Sequence, residues 1–133
     1  MAQWHPDVTS ALLKGALKTL KEAGIKDLSV IIKKAPGSFD LPLAAQWMAK
    51  SGKVNAILCL GCIIQGETPH FEYISRAVSQ GIMLLNLKYN IPVIFGVLTT
   101  TTLQQAKERS GGKHGNKGSD AALATLQMLE ART

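Results

Sequence analysis

Residues 54–70 read VNAILCLGCIIQGETPH. From Val54 to Ile64 every position except Asn55 is apolar or glycine. So short and continuous an apolar run predicts a strand covered on both faces, as in a parallel sheet. The run leaves through Gly66 and enters a helix near His70, carrying Glu67, Thr68 and Pro69 across the turn. A structural turn needs the glycine and the proline but not the other polar groups.

Working outward, the spacing of Ile74, Val78, Ile82 and Leu85 predicts one long helix over residues 70–89. IPVIFGVLTT (residues 91–100) predicts a second buried strand, followed by a short helix in TLQQAKERS. GGKHGNKG reads as a glycine- and lysine-rich loop, and SDAALATLQMLEAR as a closing helix capped by Ser119 with Asp120 in its first turn. Upstream, LPLAAQWMAKSG predicts a helix ending at Gly52. LSVIIKKAP predicts a strand near residues 28–34, closed by Pro36 and Gly37. HPDVTSALLKGALKTLKEAG predicts the first helix, with Pro6 at its start, Gly24 at its end and Leu13, Ala16, Leu17 and Leu20 on one face. Strands alternating with helices imply a single α/β domain over residues 1–133, a parallel sheet with right-handed crossovers.

The bulk composition agrees. The 133 residues are 46% hydrophobic and 18% charged, with a net charge of +6. The lysines are scattered and aromatics are few, so no nucleic-acid module is indicated. No apolar run approaches membrane-spanning length and no signal peptide opens the chain, so a soluble, cytoplasmic protein is expected. Cys59 and Cys62 are spaced C-x-x-C inside the apolar run, which reads as buried thiols rather than a redox or metal pair. His5, His70 and His114 are too far apart in sequence to suggest a metal set.

In open parallel sheets, ligands collect outside the carboxyl ends of the strands. PGSFD, QGETPH and TTTT all fall at such ends. Histidine is the side chain whose ordinary pKa lies near neutrality, so a proton shuttle is one reading of His70; the other is that it caps its helix or packs at an interface. In RSGGKHGNKG, Arg109, Lys113 and Lys117 bracket glycines ahead of a helix, which suits a phosphate. Its alternative is a solvated basic loop, and the spacing is not that of a Walker loop. His114 reads as surface. Gly37, Ser38, Phe39 and Asp40 offer an open backbone, a hydroxyl, an aromatic and a carboxylate, although Phe39 could be core and Asp40 a cap. Trp4 could stack on a flat ring or pack on the first helix. The threonines at 99–102 look like a strand end and a helix cap.

With PGSFDLPLAA, GCIIQGETPHFEYIS, PVIFGVLTT and KHGNKG in order, the chain resembles the lumazine synthase family. The resemblance implies a three-layer flavodoxin-like sheet, of strand order 2-1-3-4. It also implies condensation of 5-amino-6-(D-ribitylamino)uracil with 3,4-dihydroxy-2-butanone 4-phosphate, giving 6,7-dimethyl-8-ribityllumazine, phosphate and water without metal or organic cofactor. By the same resemblance His70 is the proton shuttle, Arg109 grips the phosphate with help from Lys117, and Trp4 stacks on the pyrimidine. Gly37 to Asp40 line the ribityl pocket, and Gly66, Glu67 and Thr68 hold the butanone phosphate. Cys62, Ile63 and Ile64 belong to the substrate-binding set, and Phe95 matches a residue supplied by a neighbouring subunit. Family members are homopentamers or multiples of them, some forming hollow icosahedral shells, and riboflavin synthase is a candidate partner; neither nucleic acid nor membrane is. The location implied is the cytoplasm, or a plastid for a plant protein without its transit segment.

The resemblance departs at the start. Family members carry a strand before the aromatic matching Trp4, and Met1, Ala2 and Gln3 stand in its place. In that order the strand is central, between those expected near 28–34 and 54–62, which must then pair directly, borrow a strand or leave backbone groups unmatched. His5 replaces an asparagine. A different function class fits the same residues: a flavin- or lumazine-binding, shell-forming homologue with weak turnover.

Overall fold

The computed structural model describes residues 1–132. Its helices are α1 (Pro6–Glu22), α2 (Leu41–Lys50), α3 (His70–Tyr89), α4 (Leu103–Glu108) and α5 (Lys117–Ala131). Its strands are β1 (Ile57–Ile64), β2 (Val93–Thr100), and a short hairpin of β3 (Ser110–Gly112) with β4 (Gly115–Asn116). β1 and β2 pair in parallel, Ile57 opposite Val93 through Ile64 opposite Thr100.

Side-chain alternation along the two strands divides the core into two layers. Ile57, Cys59, Ile63, Val93 and Val97 face α2 and α3, where they meet Leu41, Ala45, Val78, Ile82 and Leu85. Leu60, Cys62 and Leu98 face the other way, onto Val8, Leu12 and Ala16 of α1, Ala106 of α4 and Ala121 and Ala122 of α5. A parallel sheet flanked by helices is therefore the architecture, as expected. The α3 stripe is the one predicted, with Val78, Ile82 and Leu85 buried. Its far end is fixed by Asn86. The Asn86 side chain donates to the carbonyls of Ile82 and Val93 and accepts from the Val93 N–H at 2.7 Å. Gly118 lets α5 cross α1 at close range, since a methyl there would collide with the Leu12 carbonyl.

Three local expectations are corrected. First, no ladder forms over residues 28–34. Asp27–Ser29 make a turn of 3-10 helix and Val30 is extended at φ −109°, ψ 122°. Extended backbone becomes a strand only when a partner meets its N–H and C=O groups. Second, Met1–Gln3 occupy part of the missing strand's place. The Ala2 N–H donates to the Leu60 carbonyl of β1 at 2.8 Å. On the other side, Ala35 N–H donates to Met1 O and Gln3 N–H to Ala35 O, each at 2.9 Å. Ala2 is completely buried there. Third, α5 is capped by Asn116, whose Oδ1 accepts from the Gly118 and Ser119 N–H groups, and not by Ser119.

The four α1 residues placed on one face from the sequence, Leu13, Ala16, Leu17 and Leu20, do share it: all four line one open cavity beside β1, and Leu13 and Leu20 pack on the α1 core layer. The most deeply buried residues of α1 are Val8, Thr9, Leu12 and Ala16.

Candidate active site

Both long strands run the same way, so their carboxyl ends open on one side of the sheet. The Gln65 N–H donates to the Thr100 carbonyl at 2.9 Å, which joins the two exits. The polar segments singled out in the sequence follow these exits along the chain, and they fall into three separate groups.

The first group gathers at the end of β1. Ser38 Oγ donates to the Cys62 carbonyl at 3.5 Å, and Gly61 leaves the space for that hydroxyl. Gly37 N–H donates to Asp40 Oδ2 at 3.1 Å, so Asp40 ties down its own turn as well as preceding α2. The Trp4 ring lies against Gly37, where a Cβ would stand 3.5 Å from its Cδ1. Trp4 remains 69% exposed and Phe39 60% exposed, so neither serves as core and both offer ring faces. Cys62 and Ile63 are buried, which leaves the Cys62 backbone rather than its thiol as the part in contact with the turn. Ile64 is half-buried against the α1 layer.

The second group is the exit loop Gly66–Pro69 and His70, the first residue of α3, all solvent-exposed. The His70 N–H donates to Thr68 Oγ1 at 3.4 Å. No side chain caps α3, and the imidazole is not spent as the cap. That removes capping from the readings open for His70 and leaves proton transfer and packing at an interface. Glu67 and Gly66 lie in the same exposed loop.

The third group follows β2. Thr102 caps α4 by accepting from the Gln105 N–H at 3.1 Å, the role expected for that threonine run. The glycine-rich stretch is a built hairpin rather than a loose loop. Lys117 N–H donates to the Arg109 carbonyl at 2.8 Å, and Gly111 and Gly115 adopt the positive φ that glycine tolerates. Asn116 Nδ2 donates to the Ala11 carbonyl at 3.0 Å, anchoring the hairpin to α1. Arg109, His114, Lys117 and Asp120 surround a cavity of about 260 Å³ floored by Leu98. Glu108 stands 3.9 Å from Arg109 and 3.8 Å from both Lys113 and His114, beside the opening. Arg109 Nη1 also donates to the Gln105 carbonyl.

His114 is solvent-exposed, as expected, at the rim of this cavity. Its position between Lys113 and Gly115 gave no hint that it would lie with Arg109 and Asp120 around one opening, nor that Glu108 would stand beside it. Phe95 stays apart from all three groups within the chain. It lies at mid-strand opposite Cys59, packed against the α3 layer.

Both cysteines are free and buried. Burial pushes the Cys59 thiol up to about 12 and the Cys62 thiol up to about 11, which keeps them protonated and unreactive. Among the described residues no group of histidine, cysteine and carboxylate side chains could hold a metal. No helix among them is long and apolar enough to cross a membrane.

The pattern defining the 6,7-dimethyl-8-ribityllumazine synthase family matches residues 1–133. A protein of that name from Cytophaga hutchinsonii is 52% identical over 129 residues, 97% of this chain and 81% of the relative. One from Parabacteroides distasonis is 45% identical over 97% of this chain and 81% of its own length. Another, from Bacteroides fragilis, is 44% identical over 98% of this chain and 91% of its own length. A match that runs from the first residue to the last, on a parallel sheet with its polar groups at the strand exits, means that this chain belongs to the 6,7-dimethyl-8-ribityllumazine synthase family.

Proposed function

We propose that the chain condenses 5-amino-6-(D-ribitylamino)uracil with 3,4-dihydroxy-2-butanone 4-phosphate to 6,7-dimethyl-8-ribityllumazine, phosphate and water, a step of riboflavin biosynthesis. Schiff-base formation, phosphate elimination and ring closure all move protons, while the reactants bring their own nucleophile and leaving group. The protein then contributes mainly by holding both reactants together, an effect that can reach roughly 7–11 kcal/mol. In this reading Trp4 and Phe39 frame the pyrimidine and Gly37 to Asp40 take the ribityl chain. Cys62 to Ile64 line the floor. Gly66, Glu67 and Thr68 hold the butanone phosphate with Arg109 and Lys117, and His70 carries protons. His114 joins the phosphate grip, and Asp120 and Glu108 fix the cations in place.

The observation that carries this reading is the shared strand-exit edge, with a ring platform, an exposed imidazole and a cation-lined cavity on one side of the sheet. Phe95, remote from the other groups within its own chain, would act on a neighbouring subunit. Leu43 and Trp47 on α2, with Tyr73, Met83, Leu84 and Leu87 on α3, are half or more exposed, and this supports burial against further copies. A pentamer is the assembly proposed, in the cytoplasm, with riboflavin synthase as a possible user of the product.

Turnover with both substrates, followed by lumazine absorbance, is the test. His70→Ala should lower kcat by about a hundred- to ten-thousand-fold with assembly intact. Arg109→Ala should chiefly raise KM for the butanone phosphate. Tight riboflavin binding without any product would favour the non-catalytic binder instead.

A further inference from the structure

The β3–β4 hairpin gathers charges that do not by themselves balance a phosphate. Three permanent cations, Arg109, Lys113 and Lys117, stand with two carboxylates, Glu108 and Asp120, at or beside one opening. With His114 neutral, that set carries one net positive charge. A phosphate monoester near neutral pH brings about two negative charges. One more positive charge balances it, and His114 is the group at the rim able to supply it.

Backbone bonds place His114 for this. Its N–H donates to the Glu108 carbonyl at 2.9 Å, while the Lys117 N–H closes on the Arg109 carbonyl at 2.8 Å. The imidazole Nε2 lies 3.8 Å from Glu108 Oε2, too far for a hydrogen bond. Glu108 is also divided among three cations, since Arg109 and Lys113 stand as close to it. Half of the His114 side chain is exposed, which leaves the ring room to swing from Glu108 toward the cavity. The other walls add no charge. Leu98 of β2 floors the cavity, and α1 meets the hairpin where the Ala11 carbonyl and Gly15 touch Asn116.

We infer, resting on the phosphate assignment proposed above, that anion binding in this cavity is coupled to a proton. As a phosphate dianion enters, His114 takes one proton from solvent and closes on the anion beside Arg109 and Lys117; when the anion leaves, the proton returns to solvent. The sign follows from the charges. A bound anion favours imidazolium, so affinity is greatest on the acid side of the usual histidine range and falls as pH rises through it. An opposite charge within about 4–6 Å shifts such an equilibrium by about tenfold or more.

The test is calorimetric titration of the assembled protein with sodium sulfate between about pH 6 and 8. Sulfate keeps both charges over that range, whereas phosphate itself titrates there. Expected is a saturable site that weakens about tenfold from pH 6 to pH 8. Heats in two buffers of different ionisation enthalpy should report uptake of roughly half a proton per sulfate near pH 7. Arg109→Ala should remove the site. His114→Gln should bind weakly at every pH and take up no proton, and His114→Arg should bind at pH 8 about as tightly as the unaltered chain at pH 6. The proposal is overturned by absent binding, by affinity that does not change with pH, by binding that survives Arg109→Ala, or by proton uptake that survives His114→Gln and so belongs to another group such as His70. Turnover with both substrates is read separately. Lumazine formation with unlinked sulfate binding overturns the coupling and leaves the proposed reaction standing, whereas linked binding without lumazine does the reverse.

Discussion

On one flank of β1, Val93–Thr100 runs in register for 8 residues as β2; on the other, residues 30–34 form no strand and Ala35 makes an isolated bridge with Ala2. The two flanking segments are chemically alike, both rich in valine and isoleucine. Yet Val93 and Val97 are 2% exposed, while Ile31 and Ile32 are 50% and 47% exposed. β-Propensity describes a residue that suits a pleated, half-buried surface, and it becomes a strand only where the surface exists. On the β2 flank, α3 and Asn86 deliver that surface. On the other flank three residues deliver it for one bridge, and the rest of the segment forms no ladder.

The contrast can be broken by mutation. Ile82→Ala on the closed flank should cost about 2–5 kcal/mol in urea denaturation. Ile31→Ala on the open flank should cost under about 0.5 kcal/mol. Equal costs would mean that Ile31 is as deeply packed in solution as Ile82. Next in size, Asn86→Ala should cost about 1–3 kcal/mol and speed exchange of the Val93 amide, since it strands groups that now bond at 2.7–2.9 Å. An unchanged midpoint would show that β2 holds its place without that clamp.

A pH series sharpens the comparison further. The thiols of Cys59 and Cys62 are raised from 9.0 to about 12 and about 11 by burial, so the folded chain keeps protons that the unfolded chain releases. Their contribution to stability is whole below pH 9 and is lost as pH climbs from there toward 11–12. The double variant Cys59→Ala, Cys62→Ala should show a shallower fall of stability above pH 9, and identical slopes would refute the burial assigned to them. The smallest effect belongs to the turn that leads into α1. His5 holds φ 55° just after Met1–Gln3 and opens α1. His5→Asn should raise stability by roughly a few tenths of a kcal/mol, because a short amide accepts left-handed backbone more readily. A loss instead would reveal an imidazole contact that matters.

Local patterning was enough for much of this molecule. The 3.6-residue spacing of Val78, Ile82 and Leu85 marked α3 from His70 to Tyr89, and the continuous apolar runs marked β1 and β2. Glycine and proline positions marked most boundaries. Such signals are legible because each residue's burial repeats with the geometry of its own element. Three things were not legible: whether residues 30–34 found a partner, whether GGKHGNKG folded into a hairpin, and whether His114 and Asp120 came round to Arg109. Each depends on groups distant in the chain meeting in space, Ala2 with Ala35 and Leu60, Asn116 with Ala11, Lys117 with Arg109. Backbone pairing and charge clustering are satisfied between segments, so only the packed tertiary structure decides them.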